Sequence, residues 1–109
     1  KGVKFFTPSN FNFQVGLMCH PKKYKVHPHF HLNKKKTIKN MSEFLIIFKG
    51  KLKANFYNKN KKKFKSIILK ERDMILLITG LHGFDVLEKI EMIEIKQGPF
   101  SGEKDKIRF

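Results

Sequence analysis

Apolar and polar positions along this chain alternate in short runs, and turn-forming residues separate the runs. A side-chain period of two marks an extended strand with one covered face. Eight segments fit: residues 11–20, 24–31, 43–48, 51–57, 64–69, 74–78, 82–87 and 92–95. Turn chemistry bounds them at Pro21, the lysine-rich stretch 32–41, Gly50, the loop 58–62 and Thr79-Gly80. Gly50 predicts a tight turn between two antiparallel strands. Residues 97–109, with Gly98-Pro99 and Gly102, predict an ordered tail. No segment sustains a 3.6-residue period between helix caps. Runs 43–48 and 74–78 are apolar at nearly every position, as in strands covered on both faces. One cover is the interior; a dimer partner or a second sheet is the other. The expected fold class is all-β, a sandwich or barrel, in a single domain spanning residues 1–109.

Composition narrows the function classes. The formal net charge is +15, which invites a nucleic-acid partner. Almost all of the positive charge is lysine, however, with Arg72 and Arg108 the only arginines. Phosphate and base-edge recognition favours the bidentate guanidinium fork. The lysines crowd at 34–36 and 59–63, which read as solvated loop tips. A nucleic-acid role is therefore the remote reading, although such a field draws in small anions. The single cysteine, Cys19, excludes an internal disulfide framework and fits a reducing, cytoplasmic setting. No apolar run approaches the length of a membrane helix, and no signal peptide is visible.

Four of the five histidines fall into one constellation with an acid: His27, His29 and His31 in the run HPHFH, then Glu43, then His82. In a strand, His27, His29 and His31 share one face, with His29 and His31 ~6.6 Å apart along it. The pairs His27/His29 and His29/His31 are equally spaced, so spacing leaves both open. Glu43 precedes five apolar residues, and a covered carboxylate needs a partner, of which a metal is one. His82 lies between Gly80 and Gly83, where the backbone is permissive. His20, before Pro21, reads as a turn residue. Neither a Ser-His-Asp order, a P-loop nor a dinucleotide glycine fingerprint is present.

The segment His29-Phe30-His31, with Glu43 and Gly50, resembles the first motif of the cupin family: His-x-His, a spacer, Glu, six residues, Gly. The spacer is longer than usual, with eleven residues between His31 and Glu43, and Lys23 stands where a glycine is expected. The segment from Arg72 to His82 resembles the second motif. Here Arg72 replaces a glycine, Ile78 a proline, one residue rather than two separates Gly80 from His82, and Val86 stands in place of the closing asparagine. The strings HFHLNKKKTIKNMSEFLIIFKGKLKANFYN, RDMILLITGLHGFDVLE and EMIEIKQGPFSGEKDKIRF are similar to a bacterial group of small single-domain cupins, some encoded near sugar and surface-polysaccharide genes.

The resemblance implies a jelly-roll barrel, a homodimer, and one divalent transition metal (Fe, Mn, Ni, Co or Zn) held by His29, His31, Glu43 and His82. Three imidazoles and a carboxylate suit such an ion and leave coordination positions for water or substrate. Pocket candidates are His27, Tyr57 as a proton donor, and Lys96 and Gln97 as groups for a carboxylate, phosphate or hydroxyl. Phe30, Phe44, Phe84 and Phe100 lie near the ligands in sequence, and Asp105 and Arg108 are expected to pin the tail. The expected function is a metal-binding cupin acting on a small polar or anionic metabolite, such as a sugar derivative. Isomerisation, hydrolysis and oxygenation are all open. The alternative is a non-catalytic small-molecule binder or sensor.

Overall fold

A computed structural model describes residues 2–38, 40–99, 102 and 106–109. The expectations for Phe100 and Asp105 lie outside these residues. The chain divides into two compact units, Lys1–Lys39 and Asn40–Phe109. The architecture is all-β and antiparallel, with six strands in two sheets among the described residues. Among the same residues, no helix is long and apolar enough to cross a membrane.

The first unit is a hairpin and its extensions. Strand β1 (Gly2–Phe5) pairs antiparallel with β2 (Gly16–Cys19), from Gly2 opposite Cys19 to Phe5 opposite Gly16. The connecting loop is tied by side chains: Thr7 Oγ1 donates to Gln14 Oε1 at 2.9 Å, and the Gln14 amide donates to the carbonyls of Pro8 and Phe11. The expected strand 11–20 is thus only four residues long, and its partner β1 is one that its short, lysine-interrupted sequence did not announce. Residues 24–31 form no strand. Pro28 has no N–H to give a ladder, and the segment finds no pairing partner among the described residues. The His20 and Tyr24 rings stack at 4.0 Å across a turn in which Lys23 takes a positive φ of 74°.

The second unit is built on β3 (Glu43–Tyr57). One edge of β3 pairs with β6 (Leu81–Lys96) over its whole length. Its other edge pairs first with β5 (Met74–Leu77), at Glu43 to Ile46, and then with β4 (Lys63–Lys70), at Lys51 to Tyr57. The expected pairs of strands 43–48/51–57 and 82–87/92–95 are therefore single long strands. Gly50 does not turn the chain back; it sits at φ 97° inside a bulged stretch where the β3–β6 register shifts between Ile47 and Leu52. A Cβ at Gly50 would collide with the Lys89 carbonyl oxygen, so only glycine fits.

The bulge moves the inward side chains from odd to even positions. Leu45 and Ile47 are buried before it, Leu52 and Ala54 after it. It also marks where β5 hands over to β4. The intervening turn docks there, with Ile47 N donating to Asp73 O at 2.9 Å and Arg72 N to Ile47 O at 2.8 Å.

Strand β3 would span roughly 43 Å from Glu43 to Phe56 if straight, at ~3.3 Å per residue. It is not straight. Leu77 lies opposite Glu43 and Leu81 lies opposite Tyr57. Only residues 78–80 join them, a reach of at most about 14 Å. The sheet is therefore folded in half about the bulge. One half holds β5, the start of β3 and the end of β6; the other holds β4, the end of β3 and the start of β6. The core fills the fold: Ile47, Leu52, Ala54 and Leu69 cluster with Phe56, Ile67, Ile75, Phe84 and Ile90, drawn from both halves.

The outer face of the β4 half carries a polar ladder. Ser66 Oγ donates to Asn55 Oδ1 at 2.7 Å, and Asn55 Nδ2 donates to Asp85 Oδ2 at 2.8 Å, linking three strands. Strand β4, on the outside of this half, carries Lys63, Lys65 and Lys70, charges that discourage edge-to-edge pairing.

Candidate functional site

The fold brings Glu43 and His82 together at the open end of the folded sheet. Glu43 begins β3 and shares the inward parity of Leu45 and Ile47. His82 lies opposite Phe56, which shares the inward parity of Leu52 and Ala54. Both side chains therefore project between the two halves. His82 Nε2 lies 3.1 Å from Glu43 Oε2, the imidazole N–H donating to the carboxylate. Their side chains are 28% and 18% exposed, so most of each group is shielded. The His82 ring also packs against Phe84, with centroids 5.5 Å apart.

His29 and His31 lie in the first unit. Their rings meet edge to face with centroids 5.2 Å apart, although no strand holds them. His29 Nδ1 lies 2.9 Å from the His27 carbonyl oxygen. A carbonyl only accepts, so Nδ1 carries the proton, and the lone pair of the neutral ring is left on Nε2. A backbone carbonyl on one ring nitrogen is the usual way a metal-binding histidine presents the other. His27 itself is exposed and contributes this carbonyl.

The donor chemistry fits a first-row divalent ion. The 3.1 Å separation of His82 Nε2 and Glu43 Oε2 is that of a hydrogen bond in which Nε2 carries the proton, and an ion bound by both would take that proton's place. Within neither unit do three or more His, Cys, Asp or Glu side chains gather around one point, among the described residues.

The other sequence candidates fall on both sides of the sheet. Lys96 lies directly opposite Glu43, on the same inward face, and its side chain is 22% exposed. Its ammonium is 4.0 Å from Glu94 Oε1. Gln97 follows it with the opposite parity. Gln97 Oε1 accepts from the backbone N–H of buried Ser42 at 2.7 Å, which fixes the amide orientation and leaves Nε2 buried without a partner among the described residues. Tyr57 has the outward parity of Asn55. Its ring lies over Gly83, and the C-terminal Phe109 packs on it edge to face at 5.2 Å.

One exposed residue with the inward parity of the strand was not singled out from the sequence. Lys65 lies opposite Phe56, which on its other side faces His82. The signal was present: Lys65, Ile67 and Leu69 are spaced by two, and the two apolar members mark the inner face.

No protein-family model, no curated protein and no solved structure matches this chain.

Proposed function

We propose that this chain is a cupin-type jelly-roll protein that binds one divalent transition metal and through it a small polar or anionic metabolite, in sugar or surface-polysaccharide metabolism. Glu43 and His82 are the ligands that the second unit supplies, and the resemblance of the sequence motifs adds His29 and His31. The observation that carries the reading is the Glu43–His82 contact of 3.1 Å at the open end of the folded sheet. Glu43 begins one half of the sheet and His82 lies on the other. A sheet closed by a carboxylate and an imidazole on its inner face places hard and borderline donors where an ion and a ligand can both enter. A bound ion of this kind supplies Lewis acidity and open positions for a chelating oxygen ligand. The chain's own part is to orient: the His27 carbonyl sets the His29 tautomer, and Glu43 holds the His82 ring.

A homodimer belongs to the same reading. The outward side chains of the β5 half, Phe44, Ile46, Met74, Leu76, Ile93 and Ile95, include no charge. Met74, Ile93 and Ile95 are 60%, 42% and 47% exposed. A second copy presents an equally neutral face, whereas the lysine-rich surfaces elsewhere repel one another.

Elemental analysis of purified protein beside His29→Ala/His31→Ala and Glu43→Gln variants tests the site. Stoichiometric metal in the wild type, lost in both variants, is expected. Wild-type protein that takes up none of Fe, Mn, Ni, Co or Zn would sink the reading. Light scattering that gives a monomer mass would remove the dimer alone.

A further inference from the structure

The ladder between β3 and β6 ends at Glu43 opposite Lys96, and the next pair in register is Ser42 with Gln97. Neither of these two residues is in a strand. The pairing nevertheless continues for one more bond, made by a side chain: Ser42 N donates to Gln97 Oε1 at 2.7 Å. In an antiparallel ladder, successive residues turn their backbone groups to opposite edges. Ile47 bonds Asp73 and Arg72 on the β5 side of β3. Glu43, of the same parity, turns its N–H and carbonyl to that side as well, and Ser42 and Phe44 turn theirs to β6. Phe44 lies opposite Ile95 in the ladder. The backbone of Glu43 is thus held toward β6 through its two neighbours, by the ladder at Phe44 and by the Gln97 side chain at Ser42.

Ser42 is 3% exposed, so water is poorly placed to replace Gln97 as the acceptor. A buried N–H without a partner is costly, and turning the peptide until it finds one relieves the cost. The φ and ψ of Ser42 are the only soft angles between that peptide and the next, which carries the Glu43 N–H. A turn there moves the root of the Glu43 side chain, whose carboxylate meets His82 Nε2 at 3.1 Å. Hydrogen bonds weaken steeply with misalignment, so a small displacement loosens that contact. Gln97 is itself fixed, with its oxygen committed to Ser42 and its Nε2 buried.

We infer that Gln97 is a positioning residue for Glu43: through the Ser42 N–H it sets where the carboxylate stands against His82. The inference rests on the metal-site reading for the use to which Glu43 is put. It adds to that reading a residue whose acceptor is spent on the backbone, and which acts on the ion through Glu43. Groups that orient a ligand in this way govern metal affinity without touching the metal.

The test compares the full wild-type chain with Gln97→Met, which keeps the length and loses the acceptor, and Gln97→Asn, which keeps the amide and is one methylene short. Asn55→Leu, in the other half of the sheet, is the control for lost stability alone. The first readout is metal-free: exchange with water of the His82 Nε2 proton, followed by NMR after chelator treatment. The Glu43 contact slows that exchange. Both Gln97 variants are expected to quicken it about tenfold, the scale of one lost hydrogen bond to a charged group, while Asn55→Leu matches wild type. The second readout is titration with Mn alone, with affinity about tenfold lower in both Gln97 variants and unchanged in Asn55→Leu. Thermal melts establish that each variant is folded. No change in the Gln97 variants, or an equal change in Asn55→Leu, overturns the inference. A wild-type His82 proton already lost to exchange also overturns it, since no fixed contact is then there to position. If the proton responds to Gln97 while the wild type takes up no Mn, the metal reading fails and the positioning role stands. Mn uptake that the Gln97 variants leave unchanged is the reverse.

Discussion

Glu43 and His82 touch at 3.1 Å although His82 is the cross-strand neighbour of Phe56, at the far end of the strand that Glu43 begins. Each is therefore both a candidate ligand and a clasp between half-sheets. The Glu43→Gln variant separates the two roles. Its side-chain amide keeps a carbonyl oxygen that still accepts from His82 Nε2, so the fold is expected to keep its stability to within about 1 kcal/mol. Metal affinity is expected to fall at least ~100-fold, beyond what loss of a supporting contact causes. Urea denaturation and metal titration on the same preparation check both.

Gly50 and Gly80 make a matched pair. Both have positive φ, 97° and 98°. A Cβ at Gly50 meets the Lys89 carbonyl, whereas one at Gly80 meets nothing within 4 Å. Gly80→Ala is expected to cost about 1 kcal/mol, the penalty of left-handed backbone alone. Gly50→Ala is expected to cost more than about 3 kcal/mol, because the bulge must open. Chemical denaturation of the two variants side by side gives the difference directly.

The same glycine shows how much of the fold was legible. A glycine between two apolar runs signals a turn, and that reading made two strands of β3. What the composition of the run conceals is that β6 pairs along one entire edge and carries the chain through. The trace of the bulge is nevertheless written in the residues: the inward set is odd in Leu45 and Ile47 and even in Leu52 and Ala54. Such a switch of parity needs an extra residue, and only a bulge or a turn supplies one. The loop 58–62 was read correctly because its chemistry is local; Asn58 Oδ1 accepts from the N–H groups of Asn60 and Lys62. The HPHFH run was misread as a strand because alternation describes a side-chain pattern, while a strand also needs a partner for its backbone. The meeting of Glu43 with His82 depends on the fold of the whole sheet, and only the resemblance of the two motifs pointed to it.

Asn55 is the buried centre of the ladder from Ser66 to Asp85. Asn55→Leu leaves the Asp85 carboxylate and the Ser66 hydroxyl without it. A destabilisation of about 1–3 kcal/mol is expected. A double-mutant cycle with Asp85→Ala should show coupling of at least about 0.5 kcal/mol. Lys49→Ala, which breaks an exposed 4.0 Å pair with Glu91, should show almost none.

Phe109 closes on Tyr57 at the end of β3. Removing Phe109 is expected to destabilise the protein by about 0.5–1.5 kcal/mol, as for an aromatic pair. Tyr57→Phe should retain nearly all of that stability, since the ring and not the hydroxyl makes the contact. Thermal melts of the truncated chain and the Tyr57→Phe variant compare the two.

The pairing of β3 with β6 has a kinetic consequence. Its innermost pair, Tyr57 with Leu81, is already 24 positions apart in sequence, and its outermost, Glu43 with Lys96, is 53 apart. Chains dominated by such distant pairings fold slowly, because loop closure precedes its reward. The β3–β4 hairpin is local and can form first. The Glu43 end of the ribbon closes the longest loop, so it is the last part of the mouth to join the Phe56–His82 end. Whatever occupies the mouth can then act on the unfolding rate more than on the folding rate, holding shut the part of the sheet that assembles latest.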